Sequence, residues 1–225
     1  MLPLIVGFVC ALAAAVASPA AAAPSPAETP VVTSDLTPNP TGKVAEPADD
    51  VVHPGVTTEW FYASFMDPGS KRQIIVTIFT APVPMVNAVM MYGNGTDPLS
   101  PPPGTVVPSG FATHGGAVLD GLPGVRTDQG EMSFDPVRNA YHVRITSTFD
   151  VDVWLDRGQL PGATGRIDLR NRGQWMGWTS PVATSTVTGT VRFMGGEPIV
   201  VTGWRGYHDH NWGNFTMFDQ VADGW

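Results

Sequence analysis

Thr58-Glu59-Trp60-Phe61-Tyr62-Ala63-Ser64-Phe65-Met66, then Asp67-Pro68-Gly69-Ser70, then Arg72 to Thr80, is the stretch that decides the fold. Its first part is aromatic and apolar, its middle places turn residues at turn positions, and its last part is rich in Ile, Val, Thr and Phe. β-branched and aromatic residues favour a pleated, half-buried backbone, so the stretch reads as a β-hairpin. The same signature recurs downstream. Tyr141, Val143 and Ile145 alternate with His142, Arg144 and Thr146, and Phe149, Val151, Val153 and Leu155 alternate with Asp150, Asp152, Trp154 and Asp156. Val187 and Val191 alternate with threonines across Gly189, and Pro198 to Thr202 is a further short run. Period-two alternation buries one face and wets the other. Short strands with Gly, Pro, Asp or Asn between them predict an all-β sandwich or barrel. Residues 81–110 hold seven prolines without alternation and read as a long loop, a lid or a disordered excursion.

Composition narrows the function. The net charge of −8 argues against a basic groove, so no nucleic-acid partner is expected. Residues 1–23 carry no charged side chain; an apolar run from Leu2 to Val16 passes into small residues before Pro24. That is the pattern of a cleavable signal peptide, shorter than the roughly 20 apolar residues of a membrane span. The expectation is a secreted, extracellular protein without a stable membrane anchor. Cys10, the single cysteine, lies in this leader, so the mature chain has no disulfide. Residues 24–50, rich in Pro, Ala, Thr and acid, read as a flexible linker, and 51–202 as the first β-domain.

Two clusters are candidates for chemistry, the second being otherwise a corner whose polar side chains satisfy turn backbone groups. In Thr58 to Tyr62, Glu59 and Phe61 point one way and Trp60 and Tyr62 the other. Glu59 is either solvated on an edge strand or buried and in need of a partner. The second cluster, Gly203 to Gly213, is the densest polar-aromatic stretch. Extended, it puts His208, His210 and Trp212 on one face and Tyr207, Asp209 and Asn211 on the other. Asp209 or His210 is the candidate for moving a proton. Alternation keeps the two from one cavity unless a bulge intervenes. Trp212, Tyr207, Trp60 and Tyr62 are candidate walls of a ligand site, with Glu59 positioning water or a neighbour. His208 and His210 could instead ligate a metal. No third ligand is obvious beyond isolated His53, His114 and His142, so neither a metal nor a cofactor is expected. Asn94-Gly95-Thr96 and Asn214-Phe215-Thr216 fit the N-glycosylation pattern, with Asn94 the more accessible in a eukaryotic source.

Glu59-Trp60-Phe61-Tyr62 resembles the first signature of the carotenoid 1,2-hydratase (hydroxyneurosporene synthase) and AttH-like superfamily. Tyr207-His208-Asp209-His210-Asn211-Trp212-Gly213 resembles its mid-chain signature. Kievitone hydratase and, more distantly, fungal Diels–Alderases share that flavour. The resemblance implies paired lipocalin-like (calycin-type) antiparallel barrels or half-barrels, with residues 203–225 beginning a second domain that is incomplete here. It also implies a site that includes His210, Asn211 and Trp212. The implied activity is acid-initiated hydration of an isoprenyl-type alkene on a small apolar terpenoid, prenylated aromatic or polyketide. Cyclisation of a polyene and binding without catalysis are the alternatives. The family's downstream Tyr and Asp would fall beyond Trp225, so this chain is expected to be inactive alone.

Overall fold

The computed structural model describes residues 43–70, 72–82, 85–91, 106–112, 123–128, 130–146, 149–158, 162–169 and 173–215, all within the unit Val32–Trp225. The expected leader and Asn94 lie outside them. The described residues form twelve strands and one 3-10 turn, Pro47–Asp49. The strands are β1 Thr58–Met66, β2 Gln73–Ala81, β3 Met85–Met91, β4 Val106–Ala112, β5 Gly124–Arg126, β6 Gly130–Asp135, β7 Ala140–Thr146, β8 Phe149–Asp156, β9 Thr164–Leu169, β10 Gln174–Phe193, β11 Ile199–Val200 and β12 Arg205–Gly213. Pairing is antiparallel in the order β4-β3-β2-β1-β12-β10-β8-β7-β6-β5, with β9 and β11 also paired to β10. β4 and β5 do not pair with each other, so the sheet is open among the described residues. The all-β expectation holds.

The 20-residue β10 explains how one ladder makes two layers. Its first part pairs with β12 and β9, and residues 187–193 pair with β8. Between them the register slips twice. Thr179 and Val182 face His210 and His208, and Val182 and Ser185 face His208 and Gly206, so β10 spends an extra residue each time. The first slip spans Pro181, which has no N–H to donate. Bulges bend a strand and increase its twist, which turns β10 from one layer into the other. Gly189 then lets β8 approach: its φ is +136°, and a Cβ there would sit 2.0 Å from the Asp152 carbonyl oxygen.

The core lies between the layers. Phe61, Ala63 and Phe65 of β1 and Ile74, Val76 and Ile78 of β2 meet Tyr141, Val143 and Ile145 of β7 and Phe149, Val151, Val153 and Leu155 of β8. These are the alternating positions legible in the sequence. Burying each large apolar side chain contributes about 1.5–3 kcal/mol before entropy is counted.

Three expectations need correction or refinement. Within 81–110, residues 85–91 and 106–110 are strand rather than loop. Pro108 fits because β4 is the outermost strand and carries a bulge there, Ala88 and Val89 facing Gly110 and Pro108. Residues 43–50, read as linker, are tied down: Val44 bridges Ala163, the Ala45 N–H donates to the Gly162 carbonyl at 2.9 Å, and Ala45 and Asp50 are fully buried. Residues 205–213, read as entering a second domain, form a central strand of this same sheet, flanked by β1 and β10.

Gly189→Ala should lower stability in urea unfolding by about 1–3 kcal/mol, from positive φ and the blocked approach of β8. Val137→Ala, at a side chain 95% exposed, should change it by less than about 0.5 kcal/mol.

Candidate functional site

β1 and β12 pair without a break, from Thr58 opposite Gly213 to Met66 opposite Arg205. No bulge intervenes between them, so alternation survives and the two strands present two different faces. Toward the core stand Glu59 and Phe61 of β1 with His208, His210 and Trp212 of β12. Away from it stand Trp60 and Tyr62 with Tyr207, Asp209 and Asn211. Asp209 and His210 therefore belong to separate faces.

On the core face, His208 and His210 are fully buried. Imidazoles in such a place need acceptors. His208 Nδ1 meets the Tyr62 carbonyl oxygen at 2.9 Å, and its Nε2 meets Asp50 Oδ2 at 2.9 Å. His210 Nε2 lies 3.0 Å from Glu59 Oε1, and its Nδ1 lies 3.3 Å from Asp50 Oδ1. Glu59 Oε1 also accepts the His53 backbone N–H at 2.8 Å and lies 3.1 Å from His53 Nδ1, while the Thr80 hydroxyl donates to Oε2. Aromatic faces hold the rings: Phe61 stacks on His210 at 3.7 Å, Trp212 stacks on His53 at 4.0 Å, and Tyr141 lies 4.6 Å from His208. Gly177 makes room for Trp212, since a Cβ there would come within 2.6 Å of the indole.

The electrostatics follow. Burial would raise Asp50, but the charges of His208 and His210 and the hydrogen bond from His208 outweigh it and hold the carboxyl far below the usual range. Burial also opposes ionisation of Glu59, yet His210, His53 and Thr80 bring it down to about 2. Burial would lower His210; the close Asp50 carboxylate and the hydrogen bond and charge of Glu59 raise it instead. The inner cluster is an ion-paired network.

The outer face behaves differently. Asp209 is half-buried; Tyr207 donates its hydroxyl to Oδ2 at 2.8 Å, and Asn211 donates Nδ2 to Oδ1 at 2.7 Å. Tyr62 lies edge-on to Tyr207 at 6.1 Å, and Trp60 leans on Phe79 and Phe215. Trp178 of β10 stands opposite Asn211. Burial dominates here and raises Asp209, the two hydrogen bonds only partly offsetting it. Among the described carboxyls with a resolved shift, Asp49, Asp50, Glu59 and Asp67 move down and Asp209 alone moves up.

The structure thus splits the sequence candidates: Glu59, His210 and Trp212 inside, and Trp60, Tyr62, Tyr207 and Asp209 outside. Glu59 is not on an edge strand, because β1 runs between β2 and β12. Asn214 is exposed with its amide engaged, Oδ1 accepting the Trp175 N–H at 2.6 Å. Asp50 and Thr80 did not emerge from the sequence, and His53 stood there only as an isolated histidine. The signal available was indirect: two histidines on one buried strand face require carboxylate or carbonyl partners, and nothing in the spacing says which.

No family model and no curated protein matches this chain. Among solved structures it is similar to a Nitrosomonas europaea protein provisionally named AttH, at 18% identity and a TM-score of 0.46, covering 79% of this chain and 58% of that one. The chain thus spans less than two thirds of that protein's length, and a likeness at this level assigns neither family nor activity.

Stability should peak in mildly acid solution. Glu59 falls to about 2 from an ordinary 4.5 and Asp50 falls below 3.8, so their contribution is complete above about pH 4.5 and is lost as pH drops through the folded values. His210 rises above 6.5, so its contribution is complete below that pH and is lost as pH climbs through the folded value. Urea midpoints should be highest between about pH 4.5 and 6.5; a flat profile from pH 3 to 9 would refute the ion-paired network.

Proposed function

We propose that the outer face of β1 and β12 binds a small apolar alkene, of terpenoid, prenylated aromatic or polyketide type, and hydrates it with Asp209 as the acid. The observation that supports this is the contrast among the described carboxyls with a resolved shift: of these, Asp209 is the one pushed upward, and it lies among aromatic rings. Environments that drive similar groups apart mark acid and base roles.

The steps balance. The protonated carboxyl of Asp209 gives its proton to the less substituted alkene carbon. The tertiary cation that results is stabilised by the faces of Tyr62, Tyr207 and Trp60. Water adds to the cation, and its surplus proton returns to the Asp209 carboxylate. The Tyr207 hydroxyl and the Asn211 amide steady that carboxylate while it carries charge. No net proton is consumed.

A second reading rests on the inner cluster. Asp50, His210, Glu59 and His53 form a continuous series of polar contacts from the core to a ring 29% exposed. His53 Nε2 has no partner among the described residues, so that ring could exchange a proton beside Trp212. A cyclase would use either acid and return a product isomeric with its substrate. Export of the protein is proposed on the uncharged leader alone.

Turnover on a panel of prenylated substrates, read as a gain of one water in product mass, separates these readings. Asp209→Asn should lower kcat by about 10²-fold or more. Trp60→Ala should lower kcat and raise KM together, and His53→Ala should leave turnover within about twofold of the parent. Loss with His53→Ala and none with Asp209→Asn would transfer the chemistry to the core face.

A further inference from the structure

We infer that His53 Nδ1, His210 Nε2 and Glu59 Oε1 form a binding site for one divalent transition-metal ion of the zinc class. The donor types are the first reason. Two imidazole nitrogens and a carboxylate oxygen suit a borderline cation, and three protein ligands with one open position is a common zinc arrangement. Convergence is the second. The three donors lie within 4.8 Å of one another, and the two nitrogens stand 3.1 and 3.0 Å from the shared oxygen. Ligands about 2.1 Å from a tetrahedral zinc ion are about 3.4 Å apart, so each nitrogen–oxygen gap needs to open by only a few tenths of an ångström, with the two rings adjusting about the shared oxygen. No other set of three such donors converges this closely among the described residues.

The surrounding shell favours the same assignment. Thr80 donates to Glu59 Oε2 and the His53 backbone N–H donates to Oε1, which fixes the carboxylate; a carboxylate oxygen has a second lone pair for an ion. His53 is stacked on Trp212 with 7° between the rings, which sets its orientation, and its partial exposure provides entry. At the far end, Asp50 Oδ1 and His210 Nδ1 are 3.3 Å apart, yet both are buried without an aligned hydrogen bond. A metal on Nε2 places the remaining ring proton on Nδ1, facing Asp50. The pair then becomes the carboxylate–histidine support that ligating imidazoles usually have. His208 takes no part, because both its nitrogens are engaged by Tyr62 and Asp50.

The sequence pointed to a different pair, His208 with His210 on one strand. The structure keeps one of them and recruits the others from the segment before β1 and from β1 itself. The inference does not depend on hydration by Asp209, which lies on the opposite face.

The experiment titrates the chelator-stripped chain with cobalt(II), followed by visible absorption, and with zinc, followed by calorimetry. One equivalent should bind. His53→Ala should weaken binding by at least about 100-fold, Glu59→Gln similarly, and Asp50→Asn by about 10- to 100-fold as a supporting group. His142→Ala, in a carboxylate-flanked histidine on β7, and Asp209→Asn should bind like the parent. His53 is the deciding position because its ring is partly exposed, and circular dichroism will establish that this variant is folded. Absence of saturable one-equivalent binding, or unchanged affinity in folded His53→Ala, would overturn the site whatever the hydratase assay returns.

Discussion

Asp50 is the interaction on which the architecture turns. A carboxylate with no solvent exposure costs several kcal/mol to bury unless it is paired, and removing one partner of such a pair typically costs about 3–5 kcal/mol. Here the partners are His208 and His210, on the central strand of the sheet. The segment before β1 must therefore stay where it is. It bridges Ala163 through Val44 and Gly124 through Val51, linking the neighbourhoods of β9 and β5. A stretch with the composition of a linker becomes a strap, held by backbone bridges and one buried charge.

The same strand shows how position, rather than residue type, sets chemistry. Asp209 lies between the two histidines in sequence, yet its side chain faces the other way. On the inner side, each carboxylate meets imidazoles whose charge outweighs desolvation, and the acids are driven down. On the outer side, Asp209 meets a phenol and an amide, which are neutral donors, and desolvation wins. A pleat of one residue separates an ion-paired cluster from a carboxyl whose ionisation is opposed by desolvation.

β10 makes this division possible. If it were straight, β12 and β8 would lie on one continuous sheet and the histidines would have no second layer to close over them. Its two slips opposite His210, His208 and Gly206 fold the ladder, so that Tyr141 of β7 reaches His208.

The sequence by itself determined the strand-rich class, the hairpin over 58–80, the inward residues of β7 and β8, and the two-faced character of β12. Those features follow from local properties: β-branched and aromatic enrichment, turn residues, and a side-chain period of two that any extended strand obeys. It also marked Glu59, Asp209 and His210 as chemically unusual. Only the tertiary structure decided that β1 is central, that β3 and β4 are strands despite their prolines, and that Asp50 and His53 complete the inner cluster. Asp50 is 158 residues from His208 and His53 is 157 from His210. Pairing over such separations depends on which strands become neighbours and where β10 bends. Periodicity reports which way a side chain points; it carries no information about what will be standing there.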